Sequence, residues 1–265
     1  MISLSALLSA LPRPRFSSQV VVERVTIPIR DLHPAFDGYR VVQLSDFHLY
    51  PFTQLDQVQQ AVDLANSLLP DLTVLTGDYV SRDAEAIDDL APVLAGLDAR
   101  DGVFGVLGNH DVWSNREVVE AGLRDAGLPL MNNQGVTFSR GPGRLHLAGL
   151  DDGWVGRPDL FEALAGRPCG TPTLLLLHEP DLADLMVGTG QVALQLSGHT
   201  HGGQIRMPGR GALVLPHLGQ KYAAGLYRVH GGWLYTNRGI GYSTAPVRIN
   251  CPPEVTEITL VCDPV

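Results

Sequence analysis

Cysteine is scarce in this chain of 265 residues: Cys169, Cys251 and Cys262 stand far apart, without metal-type spacing. Such a set lends little support to a disulfide-stapled, exported scaffold and reads as buried thiols. Positive charge is scarce as well. Nineteen Lys and Arg against 28 Asp and Glu leave a net charge of −9, which disfavours a surface that grips nucleic acid by neutralising phosphates. A small phosphorylated group entering a metal-lined cleft stays compatible, because bound cations offset the carboxylates that hold them. The amino terminus lacks a membrane-spanning run. Residues 1–11 are apolar with serines interspersed, far short of the ~20 needed to cross a bilayer. No positive charge precedes them and no small-residue cleavage site follows, so secretion is poorly supported and a cytoplasmic or peripheral membrane location is expected. Leu4, Leu7, Leu8 and Leu11 nevertheless share one helical face, with Arg13 and Arg15 beyond. That face reads either as a core-docked terminus or as an interfacial helix that contacts a membrane through residues 1–15. Without internal repeats or low-complexity linkers, residues 1–20 are read as an apolar amino-terminal segment and 21–265 as one domain.

What the chain does contain is five short motifs in a fixed order: Asp46-Phe47-His48, Gly77-Asp78, Gly108-Asn109-His110-Asp111, His178, and Gly198-His199-Thr200-His201. Each follows an apolar run, where a strand would deliver its donors to a common rim. Residues at i and i+2 of an extended backbone share a face. Asp46 and His48 can therefore grip one ion together, and His199 and His201 have the same spacing. Glycine before Asp78, Asn109 and His199 permits a sharp turn and close backbone approach. Taken singly, each piece has a plain reading: Gly-Asp as a turn, His178 as a hydrogen-bonded core histidine, Gly-Asn-His-Asp as a loop that satisfies its own backbone. The conjunction decides otherwise. Five of the nine histidines fall in these motifs, beside Asp46, Asp78 and Asn109, which reads as a two-metal hydrolase centre. A mixed nitrogen and oxygen donor set without cysteine suits manganese, iron, zinc or cobalt better than calcium.

The surrounding pattern is α/β. Leu55, Val58, Val62, Ala65 and Leu68 recur at helical spacing and stop at Pro70, ahead of the strand-like Leu72-Thr73-Val74-Leu75-Thr76. A second unit repeats this grammar, with a helix on Ile87, Leu90, Leu94 and Leu97, kinked at Pro92, before Val103-Phe104-Gly105-Val106-Leu107. Further helices are predicted near 115–125 and 158–165. After residue 126 short strands dominate, ending in 255–260, where Ile258 and Leu260 should face inward and Glu257 and Thr259 outward. Helix-linked and hairpin-linked strands together imply mixed sheets.

The ordered motif set resembles the calcineurin-like metallophosphoesterase family over about residues 38–262. The longer form from Gly198 to Gln204, with Asn237-Arg238-Gly239-Ile240-Gly241 and Pro246-Val247-Arg248 downstream, is similar to a bacterial subgroup of often membrane-associated phosphodiesterases. The resemblance implies a four-layer α/β/β/α sandwich with two mixed β-sheets. It implies that Asp46, His48 and His201 bind one divalent ion, that Asn109, His178 and His199 bind another, and that Asp78 bridges the two, with manganese the first choice of metal. It places His110 beside the substrate as the catalytic group that assists the leaving group or stabilises charge. Asp111 would hold that histidine in one tautomer. The implied activity is hydrolysis of a phosphate ester, a phosphodiester first and a lipid-linked nucleotide pyrophosphate of the UDP-diacylglucosamine type second.

Arg238, Gln204 and Arg206 are candidates for substrate binding, since arginine offers a planar fork to phosphate oxygens. A salt bridge is the plain alternative for Arg238, and loop support for the other two. Two rival classes remain. A metal-dependent amidohydrolase usually carries His-x-His early in a barrel chain, whereas here it comes late. A non-catalytic metal-binding scaffold would show no turnover of any phosphate ester.

Overall fold

The computed structural model describes Phe16 and residues 18–263. The amino-terminal leucine face and its two arginines lie outside the described residues. Strand β1 (Val21–Ile29) leads into β2 (Tyr39–Leu44), helix α1 (Leu55–Ser67), β3 (Leu72–Thr76), α2 (Ile87–Leu94), β4 (Val103–Val106) and α3 (Asn109–Asp125). Then come β5 (Gln134–Arg140), β6 (Gly143–Gly149), α4 (Leu160–Ala163), β7 (Thr173–Leu176), α5 (Ala183–Met186) and β8 (Leu194–Ser197). The short strands β9 (Arg206–Met207) and β10 (Gly211–Ala212) precede β11 (Gly225–Val229), β12 (Gly232–Thr236) and β13 (Glu254–Cys262).

These strands form two mixed sheets, ordered β1-β13-β2-β3-β4 and β11-β12-β8-β7-β6-β5. In the first, β2, β3 and β4 run parallel, and β13 returns antiparallel to β2. In the second, β6, β7, β8 and β12 are parallel, with antiparallel strands at both edges. The period-two alternation of strand side chains sorts the core into layers. Leu174 and Leu176 of β7 point between the sheets, where they meet Val41, Val74, Leu194, Leu196, Ile258 and Leu260. Leu175 and Leu177 point the other way, onto Ala163, Ala183 and Met186. On the opposite flank, Val42, Leu44 and Leu75 meet Val58, Val62, Ile87, Leu90, Val119 and Leu123 of the three longer helices. The result is helix, sheet, sheet, helix, with the fourth layer thin because α4 and α5 have four residues each.

Along β13, Ile258 and Leu260 are buried and Glu257 and Thr259 partly exposed, as the alternation requires. Helix α2 runs through Pro92. Helix α3 begins well before the predicted residue 115, because a first turn at Asn109 joins the rest across an extended Asn115 (φ −176°, ψ 100°). All three cysteines are free; Cys251 is buried, Cys262 partly so, and Cys169 exposed, contrary to the expectation that all three thiols are buried. Among the described residues no helix is long and apolar enough to cross a membrane.

Candidate metal centre

Five parallel strands end at one rim, and each end carries a donor. Asp46 and His48 follow β2, Asp78 follows β3, Asn109 and His110 follow β4, His178 follows β7, and His199 and His201 follow β8. Three strands come from one sheet and two from the other, so the centre straddles the gap between them. Hydrogen bonds lock the two sheets in register there. Gln43 Nε2 donates to the Ser197 carbonyl (3.0 Å), the His199 amide to the Asp46 carboxylate (3.0 Å) and His178 Nδ1 to the Thr76 carbonyl (2.6 Å).

Beyond the strand ends the backbone leaves the extended conformation. Asp46, His48, Asp78, His199 and His201 have φ of 52°, 43°, 56°, 72° and 51°, a left-handed region that costs an L-residue roughly 1–2 kcal/mol. The shared-face argument for Asp-x-His and His-x-His therefore does not describe how these pairs aim. Asp46, His48 and His201 converge as one cluster, while His199 turns away to join Asp78 and His178. Strain concentrated on ligand positions is the usual mark of a site that the fold over-determines. Close approach needs glycine nearby. A Cβ on Gly198 would run into Ser45 Oγ and Asp46 Oδ2, and one on Gly108 into Asp78 Oδ1.

The donors are oriented for a cation. His48 Nε2 lies 2.9 Å from His201 Nε2 and 3.2 Å from Asp78 Oδ2, and His178 Nε2 is 3.2 Å from the same Asp78 oxygen. Asp46 Oδ1 lies 3.4 Å from His201 Nε2. A carbonyl can only accept, so His178 carries its proton on Nδ1 toward Thr76, and His199 carries its proton on Nε2 toward the His217 carbonyl (2.7 Å). In a neutral ring the second nitrogen is then a lone pair facing the cluster, a condition that His199 meets. Burial acts to lower His178, but Asp78 and Asp46 outweigh it and hold that imidazole well above its usual range, so that a cation entering the cluster would take the place of its Nε2 proton. His178 Nε2 and Asn109 Oδ1 are buried without a hydrogen-bond partner, a costly state unless a ligand satisfies them. The residues present thus fit a metal ion.

Charge agrees with geometry. Burial, reinforced by His178, pushes the His199 imidazole down to about 3, and burial with His48 holds His201 well below its usual range. Both rings are neutral near pH 7, the form that ligates. Burial acts to raise Asp78, but His178, His48 and His110 outweigh it and hold that carboxylate well below the usual range.

His110 opens α3. Its amide donates to Asp78 Oδ1 (2.9 Å) and its Nδ1 to the Ser81 carbonyl (2.7 Å), which leaves Nε2 toward a cavity of about 280 Å³. The expectation that Asp111 orients His110 is corrected here. The Asp111 carboxylate accepts four backbone amides instead, those of Asp78, Tyr79, Val80 and Gly108 at 2.8–3.1 Å. It ties the loop after β3 to the start of α3. Asp111 therefore places Asp78 and Asn109, while Ser81 sets the ring.

Two of the three substrate-binding expectations also change. Arg238 bonds Glu23 Oε2 (3.0 Å) and pairs with the buried Glu254, and Arg206 Nη1 donates to the Gly202 carbonyl (3.0 Å). Both border a separate depression and not the cavity beside His110. Two nearby glutamates were sufficient to capture Arg238, and neither is adjacent to it in sequence. Gln204 does line the cavity, but its amide is taken by the Ala245 and Val247 carbonyls and by the Ser243 amide.

Sequence reasoning missed several residues. Arg248, named above only as part of a subgroup motif and given no role, is buried and donates to the carbonyls of Gly239, Gly241 and Cys251 beneath His201. Trp113 and Trp154 border the cavity with Val214, Leu215 and Pro216. Trp113 was within reach, since it follows His110 by one helical turn.

With this geometry in place, comparison with known proteins is direct. The calcineurin-like phosphoesterase family matches residues 39–203. The chain is 36% identical over 229 residues to the uncharacterized metallophosphoesterase YkuE of Bacillus subtilis, covering 85% of this chain and 80% of that protein. It is 34% identical over 230 residues to the phosphodiesterase YaeI of Escherichia coli, covering 84% and 82%. A bovine transmembrane protein with a metallophosphoesterase domain is 32% identical, and the match takes in 92% of this chain but 57% of that protein. Among solved structures, the NAD nucleotidase of Haemophilus influenzae shares the fold with a TM-score of 0.53 at 12% identity, over 84% of this chain and 50% of that one. The chain belongs to the calcineurin-like metallophosphoesterase family and is a metal-dependent phosphoester hydrolase.

Proposed function

We propose that this protein is a dinuclear-metal phosphodiesterase acting on small substrates. Asp46, His48 and His201 would hold one ion, Asn109, His178 and His199 the other, and Asp78 would be shared. Manganese is the metal we assign first, with iron, zinc and cobalt compatible with the same nitrogen and oxygen donors. Bound divalent cations supply the positive charge that collects phosphoryl oxygens and makes water a nucleophile at neutral pH. The chain's own contribution is placement. Asp111 and the strained loops keep the donors in position, and His110, in the doubly protonated form that keeps Nδ1–H on the Ser81 carbonyl, would deliver its Nε2 proton to the departing ester oxygen.

One observation carries the preference for diesters: among the described residues that line the cavity there is no Lys or Arg. A monoester dianion or a polyphosphate gains more from side-chain cations beyond the metals than a diester does, since a diester carries a single negative charge. A second reading, a lipid-linked nucleotide pyrophosphate, draws support from Val214, which borders the cavity and is 76% exposed, and from its exposed neighbour Leu213. The relative named as a transmembrane protein points the same way for peripheral membrane contact. The test is turnover of bis-p-nitrophenyl phosphate against p-nitrophenyl phosphate by manganese-loaded protein. Preference for the diester, abolished together with metal content in Asp78→Asn, is the expected result. Preference for the monoester, or turnover that survives Asp78→Asn, would overturn the proposal.

A further inference from the structure

Two tryptophans stand in the cavity wall without a structural reason to be there. Trp113 is 51% exposed and Trp154 39% exposed, although indole is among the most favourable side chains to bury. They meet edge to face, with ring centroids 4.8 Å apart. Trp113 also touches the His110 ring (5.2 Å), and Trp154 touches His217 (5.2 Å) and His199 (6.0 Å). The pair therefore runs along the wall from the proton-donating histidine to a metal-ligand histidine.

The exposure does not come from a loose loop. Asp152 Oδ1 accepts the amides of Trp154 (3.0 Å) and Val155 (2.7 Å), and Glu179 Oε2 accepts that of Gly153 (2.8 Å). Asp151 accepts the amides of Asp152 and Arg157 and pairs with Arg116 of α3 at 2.5 Å. Three carboxylates and one ion pair thus fix the Trp154 loop against the helix that carries Trp113. A pre-organised aromatic surface left open to water is built to be covered by a ligand, since the ordering cost has already been met. The tryptophan side offers an anion no side-chain cation, because among the described residues no Lys or Arg lines the cavity.

We infer that Trp113 and Trp154 form a leaving-group subsite that takes a flat, uncharged aromatic ring. This rests on the phosphodiesterase reading for one point, that the group beside His110 is the one that departs. Ring recognition itself is measured without turnover. The probes are diphenylphosphinate and dicyclohexylphosphinate, two monoanions of similar size whose P–C bonds resist hydrolysis and of which one carries flat rings. Calorimetric titration of manganese-loaded wild type should show the diphenyl ligand binding more tightly, by about 5- to 150-fold, the range expected for ring stacking on an aromatic side chain. Trp113→Ala and Trp154→Ala should each remove most of that preference and leave the dicyclohexyl affinity within about 2-fold, while Trp113→Phe retains most of it. Unchanged metal content by elemental analysis certifies that the variants are folded at the site. Equal affinities in wild type, or equal losses for both ligands in the alanine variants, would overturn the subsite. Ring preference that depends on the tryptophans, in a protein that turns over no phosphodiester, would sink the proposed activity and support the ring subsite.

Discussion

Replacing His110 by alanine separates proton delivery from metal binding. The backbone amide of residue 110 donates to Asp78 Oδ1, and that bond does not depend on the side chain. The imidazole itself loses one hydrogen bond, from Nδ1 to the Ser81 carbonyl, worth roughly 1 kcal/mol of stability. His110→Ala should therefore keep the fold and both ions. What it removes is Nε2, facing the cavity. General acid catalysis contributes typically ~100- to 10,000-fold, equivalent to about 2.7–5.5 kcal/mol of barrier. The loss should depend on the leaving group. An alkyl diester departs as a poor alkoxide and needs the proton, so its kcat should fall by that full factor. A p-nitrophenyl ester departs as a stable phenolate and should lose about 10-fold or less on the same argument. The assay is steady-state kinetics on both ester classes, with metal content measured on the same samples. Equal losses on the two esters would refute proton delivery, and a fall in metal content would show His110 to be a ligand.

Arg238→Ala tests a residue that left the substrate list. It strands the buried Glu254 beside Tyr235, which should cost roughly 3–5 kcal/mol in urea unfolding while leaving KM nearly unchanged; a large rise in KM with intact stability would restore Arg238 to the pocket. Asp111→Ala deprives four buried amides of their acceptor. At about 1–3 kcal/mol each, with water recovering part, the loss should exceed roughly 3 kcal/mol and carry metal affinity down with it, so normal metal content at wild-type stability would contradict the positioning role. Acid sensitivity should trace partly to Asp71. Burial acts to raise this carboxyl, but the Arg40 amide and Arg140 outweigh it and lower the pKa. Its stabilisation is then complete above the unfolded value of about 3.9 and lost as the pH falls through the lower native value. Thermal melts of wild type and Asp71→Asn should converge below pH 4; a constant gap there would contradict the ion pair.

The chemistry of this protein was largely legible in its sequence because donor identity is a local property. Asp46, His48, Asp78, Asn109, His178, His199 and His201 each follow an apolar run, and the rules of parallel sheets carry every such run to one rim. The same locality made β3, α1 and the inward face of β13 readable from periodicity alone. What periodicity could not reveal is where a side chain goes once its backbone turns left-handed. His199 and His201 share a motif yet serve different clusters, because positive φ at both positions turns their rings apart. Asp111 looked like a partner for its neighbour His110, but three amides of the distant loop after β3, with that of Gly108 three residues before it, claimed it first. Arg238 and Arg206 carried the right charge for phosphate and were drawn elsewhere, the first by Glu23 and Glu254, 215 and 16 residues away in the chain. The tryptophan wall depends on α3 and a loop some forty residues on being clamped by Arg116 and Asp151. Sequence alone determined which atoms could hold a metal and in what order the strands deliver them. The tertiary structure decided which donors share a cluster, which charges are already spoken for and what surface a substrate meets, because those depend on contacts between segments that sequence does not place side by side.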